Sequence, residues 1–109
     1  MTEASYAEEL EYLIEYARSA PLYFSPLRDA AETVAGKGST EDQIQAATLR
    51  LISDMLDQGV RIGDMSPRKG EDVLPWNLSK EEALQRVAKE MRQYDNPIDF
   101  IDICWFTAP

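Results

Sequence analysis

Three times in this chain a hydroxyl residue is followed, three positions later, by glutamate or glutamine and then by an apolar run of helical period. The pairs are Ser5 with Glu8, Thr40 with Gln43, and Ser79 with Glu82. In such a capping box the hydroxyl accepts from the amide of the third helical residue, and the longer side chain reaches back to the cap's own amide. Two orphan donors are satisfied at once. No other feature restricts the fold as strongly, because it fixes where helices begin.

The first box predicts a helix from about Tyr6 to Ser19, with Tyr6, Leu10, Leu13, Ile14 and Ala17 on one face and Pro21 as its stop. A second, shorter helix follows in "SPLRDAAETVAG". Ser25 is its expected N-cap, Pro26 stands where a missing amide costs nothing, and Gly36 suits a left-handed C-cap. The third helix opens at Thr40 and ends before Gly59. Ile44, Ala47, Thr48, Leu51, Ile52 and Met55 form a stripe that Leu49 and Leu56 widen. An arc that broad places it at the centre of the fold. The fourth begins at Ser79, buries Leu84, Val87, Ala88 and Met91 with Tyr94 following, pairs Glu82 with Arg86, and ends at Asn96-Pro97.

Between the last two helices, residues 59–78 read as a long connection punctuated by Gly59, Gly63, Gly70, Pro67 and Pro75. Twenty structureless residues are unusual in a compact domain. Val60 and Ile62 alternate as a short strand does, and Val73, Leu74, Trp76 and Leu78 are expected to pin the connection to the core. In the terminal stretch "DFIDICWFTAP", Ile101, Ile103 and Trp105 alternate with Asp102, Cys104 and Phe106, the period of an extended segment. Residues 100–106 are expected to pair with Val60–Ile62 and to bury both Trp105 and Phe106, leaving Asp99 and Asp102 at its edges. The expectation is an all-α, compact single domain, residues 1–109, of about four helices, with a long 59–78 connection and an extended apolar C-terminal segment.

Composition narrows function mainly by exclusion. The 109 residues include no histidine and one cysteine, Cys104. That removes the usual neutral-pH base, the Ser-His and Cys-His nucleophile pairs and the commonest zinc ligand. The thiol within "IDICWF" reads as buried and inert. "GKGST" at 36–40 lacks the spacing and preceding strand of a phosphate loop, and no Asp-Ser-Leu carrier-protein attachment site is present. Asp54, Asp57 and Asp64 are the residues around which a carboxylate- or metal-dependent enzyme would be built, but they fall on a polar face where acids are ordinarily solvated. No catalytic residue, metal or cofactor is expected.

The net charge is −9, and it is polarised: residues 1–17 carry Glu3, Glu8, Glu9, Glu11 and Glu15 with no basic residue. Such a balance disfavours nucleic-acid and anionic-membrane binding and attracts basic partners. "MTEASYAEEL" lacks the basic and apolar regions of a signal peptide, and no run approaches a membrane span. The expected compartment is the cytoplasm. Opposite Leu10 and Leu13, the first helix presents Glu8, Tyr12 and Glu15, flanked by Glu11 and Tyr16. Glu8–Glu11 and Glu11–Glu15 are like-charge neighbours that cost the isolated helix roughly 0.2–0.5 kcal/mol each. Tyrosines among outward carboxylates suit a protein-binding face. Glu8, Glu11, Tyr12, Glu15 and Tyr16 are therefore the first candidate contacts, and Asp54 and Asp57 the second.

The C-terminal half, "GDMSPRKGEDVLPWNLSKEEALQRVAKEMRQY" followed by "DICWF", resembles small bacterial immunity-type proteins of toxin/immunity systems, including contact-dependent growth inhibition. That resemblance carries no catalytic residue across. It implies a small, acidic, cytoplasmic, non-enzymatic protein that neutralises a basic toxin domain, often a nuclease, by covering its active or substrate-binding site. The alternatives are the carboxylate enzyme above and a structural adaptor that self-associates through its tail.

Overall fold

The computed structural model describes residues 3–65, 73–94 and 103–108. Four helices dominate: α1 (Glu3–Ser19), α2 (Phe24–Ala35), α3 (Glu41–Asp57) and α4 (Lys80–Gln93). Three short strands accompany them: β1 (Arg61–Met65), β2 (Val73–Pro75) and β3 (Trp105–Thr107). The protein is mostly helical, and the small sheet corrects the all-α expectation.

Local chemistry sets the start of α3 and α4. The Thr40 hydroxyl accepts from the Gln43 amide at 3.2 Å while the Gln43 side chain accepts from the Thr40 amide at 2.9 Å. Ser79 and Glu82 repeat the arrangement at 3.2 and 3.0 Å. Because the Glu82 carboxylate turns back to its cap, Arg86 does not pair with it as expected and lies nearer Glu90, at 3.7 Å. The α3 helix packs against α1, α2 and α4, the central place its broad stripe predicts. Its Thr48 is fully buried and satisfies its hydroxyl on the Ile44 carbonyl oxygen at 2.8 Å.

The other two helix starts differ from the sequence reading. The α1 helix begins at Glu3, ahead of the expected Ser5 cap. The α2 helix begins at Phe24 with Tyr23 in the cap position and no side-chain cap, so Ser25 is already inside it. The cause is tertiary. Leu22 exchanges two backbone hydrogen bonds with Phe106, both 2.8 Å, and Phe24 is driven into the core at 1% exposure. The chain must therefore turn helical at once. At the far end, Gly36 takes φ 97° as the C-cap.

The sheet order is β2-β1-β3, antiparallel throughout. Ile62 faces Phe106 and Gly63 faces Trp105 in the β1–β3 register, so the expected pairing of the tail with the Val60–Ile62 region is present. Ile103, Cys104 and Phe106 are buried, whereas Trp105, expected in the core, is only half-buried. Successive strand residues point to opposite faces, and Phe106 takes the inner one. Gly63 is no loop glycine: a Cβ there would meet the Leu74 carbonyl oxygen at 2.0 Å, so β2 can approach β1 only because the side chain is missing. Pro75 is tolerated because β2 is an edge strand. Val73 is buried and Trp76 partly so, but Leu74 and Leu78 point outward at 48% and 41% exposure. The Asn96-Pro97 stop and the placements of Asp99, residues 100–101 and Asp102 lie outside the described residues.

Candidate functional site

The outer face of α1 is built by helical spacing alone. With Tyr6, Leu13 and Ala17 buried and Leu10 and Ile14 partly buried against the core, the opposite side must carry Glu8, Glu11, Tyr12 and Glu15. All four are exposed, Tyr12 at 51%, and Tyr16 is half-buried at the edge of this face. Glu15 is paired with Arg18 at 2.6 Å on the surface. Among the described residues no ion pair engages Glu8 or Glu11.

Tyr12 and Tyr16 continue into a ladder that sequence spacing does not reveal. Tyr16 meets Tyr12 edge-on at 6.1 Å between ring centroids, and meets Tyr23 at 6.4 Å. Tyr23 in turn lies 5.7 Å from Trp105, with the rings tilted by 35°. Two rings come from α1, one from the α1–α2 connection and one from β3. Tyr23 reaches the ladder because the Leu22–Phe106 pairing sets β3 beside that connection, and Trp105 because Phe106 has taken the inward position. The only sequence signal for either was the period-two alternation of the tail. Tyr16 holds its proton above the ordinary tyrosine range, first through desolvation and then through the neighbouring Tyr23 and Tyr12.

Asp54 and Asp57 do not join this face. The Asp54 carboxylate accepts a hydrogen bond from the Tyr6 hydroxyl, whose ring is covered by the Arg50 guanidinium at 4.0 Å. Asp57 bridges to Lys80 at 2.9 Å and so ties the end of α3 to the start of α4. Each contributes to a helix–helix contact.

Asp64 belongs to a third cluster. Arg86 lies 4.0 Å from Asp64, 3.7 Å from Glu90, and 3.8 Å over the Trp76 ring. Burial raises the Glu90 carboxyl, with Arg86 opposing the shift. Burial also pushes the Cys104 thiol well up, aided by Glu90 and Asp64. A protonated, buried thiol is a poor nucleophile. Asp54, Asp57 and Asp64 thus answer three different partners, and among the described residues no group of three or more His, Cys, Asp or Glu side chains is placed to hold a metal ion.

Among the described residues no helix is long and apolar enough to cross a membrane. No protein family, curated protein or solved structure matches the chain.

Proposed function

We propose that this is a non-catalytic acidic binding protein of the immunity or antitoxin type, acting in the cytoplasm. It neutralises a basic toxin domain, such as a nuclease, by occluding the toxin's active or substrate-binding site. The observation that carries this reading is the juxtaposition of unneutralised Glu8 and Glu11 with the exposed end of a four-ring aromatic ladder. Carboxylates on such a face occupy the place of substrate phosphates and steer a basic partner inward. The rings supply rigid contact area at small entropic cost. A carboxylate enzyme is less favoured because Asp54, Asp57 and Asp64 are engaged separately.

The test is co-expression with the products of the adjacent reading frames. A basic toxin domain among them should arrest growth alone and be silenced by this protein. Replacing Glu8, Glu11 and Glu15 together by lysine should slow association by roughly 10- to 100-fold at low ionic strength and abolish protection. Unchanged association at low salt refutes the assignment of the face.

A further inference from the structure

The fold twice seats an arginine on an aromatic ring that has a carboxylate beside it. Arg50 covers Tyr6 at 4.0 Å, and the Tyr6 hydroxyl donates to Asp54. Arg86 covers Trp76 at 3.8 Å, with Asp64 at 4.0 Å and Glu90 at 3.7 Å. The guanidinium is planar and weakly hydrated, so its face can lie on the negative face of a ring while its N–H groups point outward to carboxylate oxygens.

A third place holds rings and carboxylates but takes no cation from the chain. A groove of 330 Å³ runs between α1 and α2, with Glu9, Tyr12 and Tyr16 on one wall, Asp29 and Thr33 on the other, and Tyr23 from the connection between them. Glu9, Tyr12 and Tyr16 stand three and four residues apart and so share one side of α1, as Asp29 and Thr33 share one side of α2. Among the described residues none that lines the groove is basic, and neither Glu9 nor Asp29 has a cationic partner. Arg28, next to Asp29 in sequence, is engaged by Glu32 and Glu41 at 3.3 and 2.6 Å. Glu9 is half-buried, and a carboxylate partly removed from water gains more from an opposite charge than an exposed one does.

The chemistry of the walls selects among cations. Calcium takes six to eight oxygen ligands, more than two carboxylates on separate helices provide. A lysine ammonium is a compact, strongly hydrated point charge that must shed water to lie against the rings. The flat, delocalised guanidinium sheds less and presents several donors at once.

We infer that this groove receives an arginine side chain of the partner, its guanidinium against the tyrosine rings and its N–H groups on Glu9 and Asp29. This rests on the binding reading above and adds the anchor to it. Arginine is also the side chain best shaped to hold a phosphate, so a nuclease whose phosphate-binding arginine lies in this groove has lost its hold on substrate.

The experiment titrates the ¹⁵N-labelled protein with acetyl-Gly-Arg-Gly-amide at about 150 mM salt, where long-range attraction to the acidic surface is screened. Control peptides replace the arginine by lysine, which keeps the charge, and by citrulline, which keeps the shape without it. Saturable shifts at Glu9, Tyr12, Tyr16, Tyr23 and Asp29 are expected, with a Kd of roughly 1–10 mM for a single anchor. The lysine peptide should bind about threefold more weakly and the citrulline peptide at least about tenfold. Asp29→Asn should weaken the arginine peptide by about three- to tenfold, whereas Glu81→Gln, which removes the same charge from the exposed side of α4, should leave it unchanged. Absence of saturable shifts, equal binding of the lysine or citrulline peptide, or equal effects of the two substitutions would each overturn the inference. If replacing Glu8, Glu11 and Glu15 by lysine abolishes protection while the arginine peptide leaves the spectrum unchanged, the groove inference falls and the binding reading stands. If the peptide binds as expected while that replacement leaves protection intact, the groove stands and the assigned face falls.

Discussion

Replacing Phe106 by alanine should destabilise the protein by about 3–5 kcal/mol, the range for deleting a fully enclosed phenylalanine ring. Its side chain has no solvent exposure, and it lies between Ile62 on β1 and Leu22 on the other side. The surrounding core therefore has little freedom to collapse into the space. The adjacent Trp105 provides the internal comparison. It is larger but half-buried, and its main loss on truncation is the Tyr23 contact at 5.7 Å. Such a pair is worth about 0.5–1.5 kcal/mol beyond the area it buries, so Trp105→Ala should cost about 1–2 kcal/mol and leave a folded protein. Both variants retain the two 2.8 Å backbone hydrogen bonds between Phe106 and Leu22, so the difference isolates the side chains. Urea unfolding followed by far-ultraviolet circular dichroism reads it directly, provided the slope with denaturant is unchanged. At roughly 4–8 °C per kcal/mol, the melting temperature should fall by about 12 °C or more for Phe106→Ala. Equal losses at the two positions, or a loss below about 1 kcal/mol at Phe106, would refute the orientation assigned to β3.

Gly63→Ala should destabilise by about 1–3 kcal/mol, the usual cost of overpacking, because the new methyl meets the main chain of Leu74 and Pro75; amide exchange in β2 should quicken more than in α4. Thr40→Ala and Ser79→Ala should each cost about 0.5–2 kcal/mol by thermal melting, while Ser25→Ala should stay within about 0.5 kcal/mol because it caps nothing. Tyr6 keeps its proton well above the ordinary tyrosine range, first through burial and then through its hydrogen bond to Asp54. Because the unfolded chain ionises near pH 10, the unfolded state binds fewer protons from there upward, and stability is lost as pH rises towards the folded value. Tyr6→Phe should cost about 1.5–3 kcal/mol at pH 7, with the gap from wild type narrowing above pH 10 in urea unfolding.

What could be read in the sequence follows the range of the forces involved. The α3 and α4 starts were legible because a capping box involves residues three apart. The start of α2 was not, since a bridge from Leu22 to a residue 84 positions away fixes it. The sheet was only half legible for the same reason. Strands of three to five residues carry little periodicity, and Gly63 looked like punctuation because its partner across the sheet is invisible locally. On the candidate face, Glu8, Glu11, Tyr12, Glu15 and Tyr16 follow from the α1 period. Tyr23 and Trp105 could not, because tertiary pairing delivers them to the ladder.

The single thiol of the chain sits next to the strand that closes the sheet. Cys104 is 1% exposed and held protonated by its surroundings, so an alkylating reagent reaches it only when that end of the molecule opens. The modification rate is then a clock for local opening, set against the rate for the same thiol in denaturant. With no second cysteine to confuse the signal, the native sequence carries its own probe. A bound partner that braces Trp105 and Tyr23 would slow the clock without ever touching the sulfur.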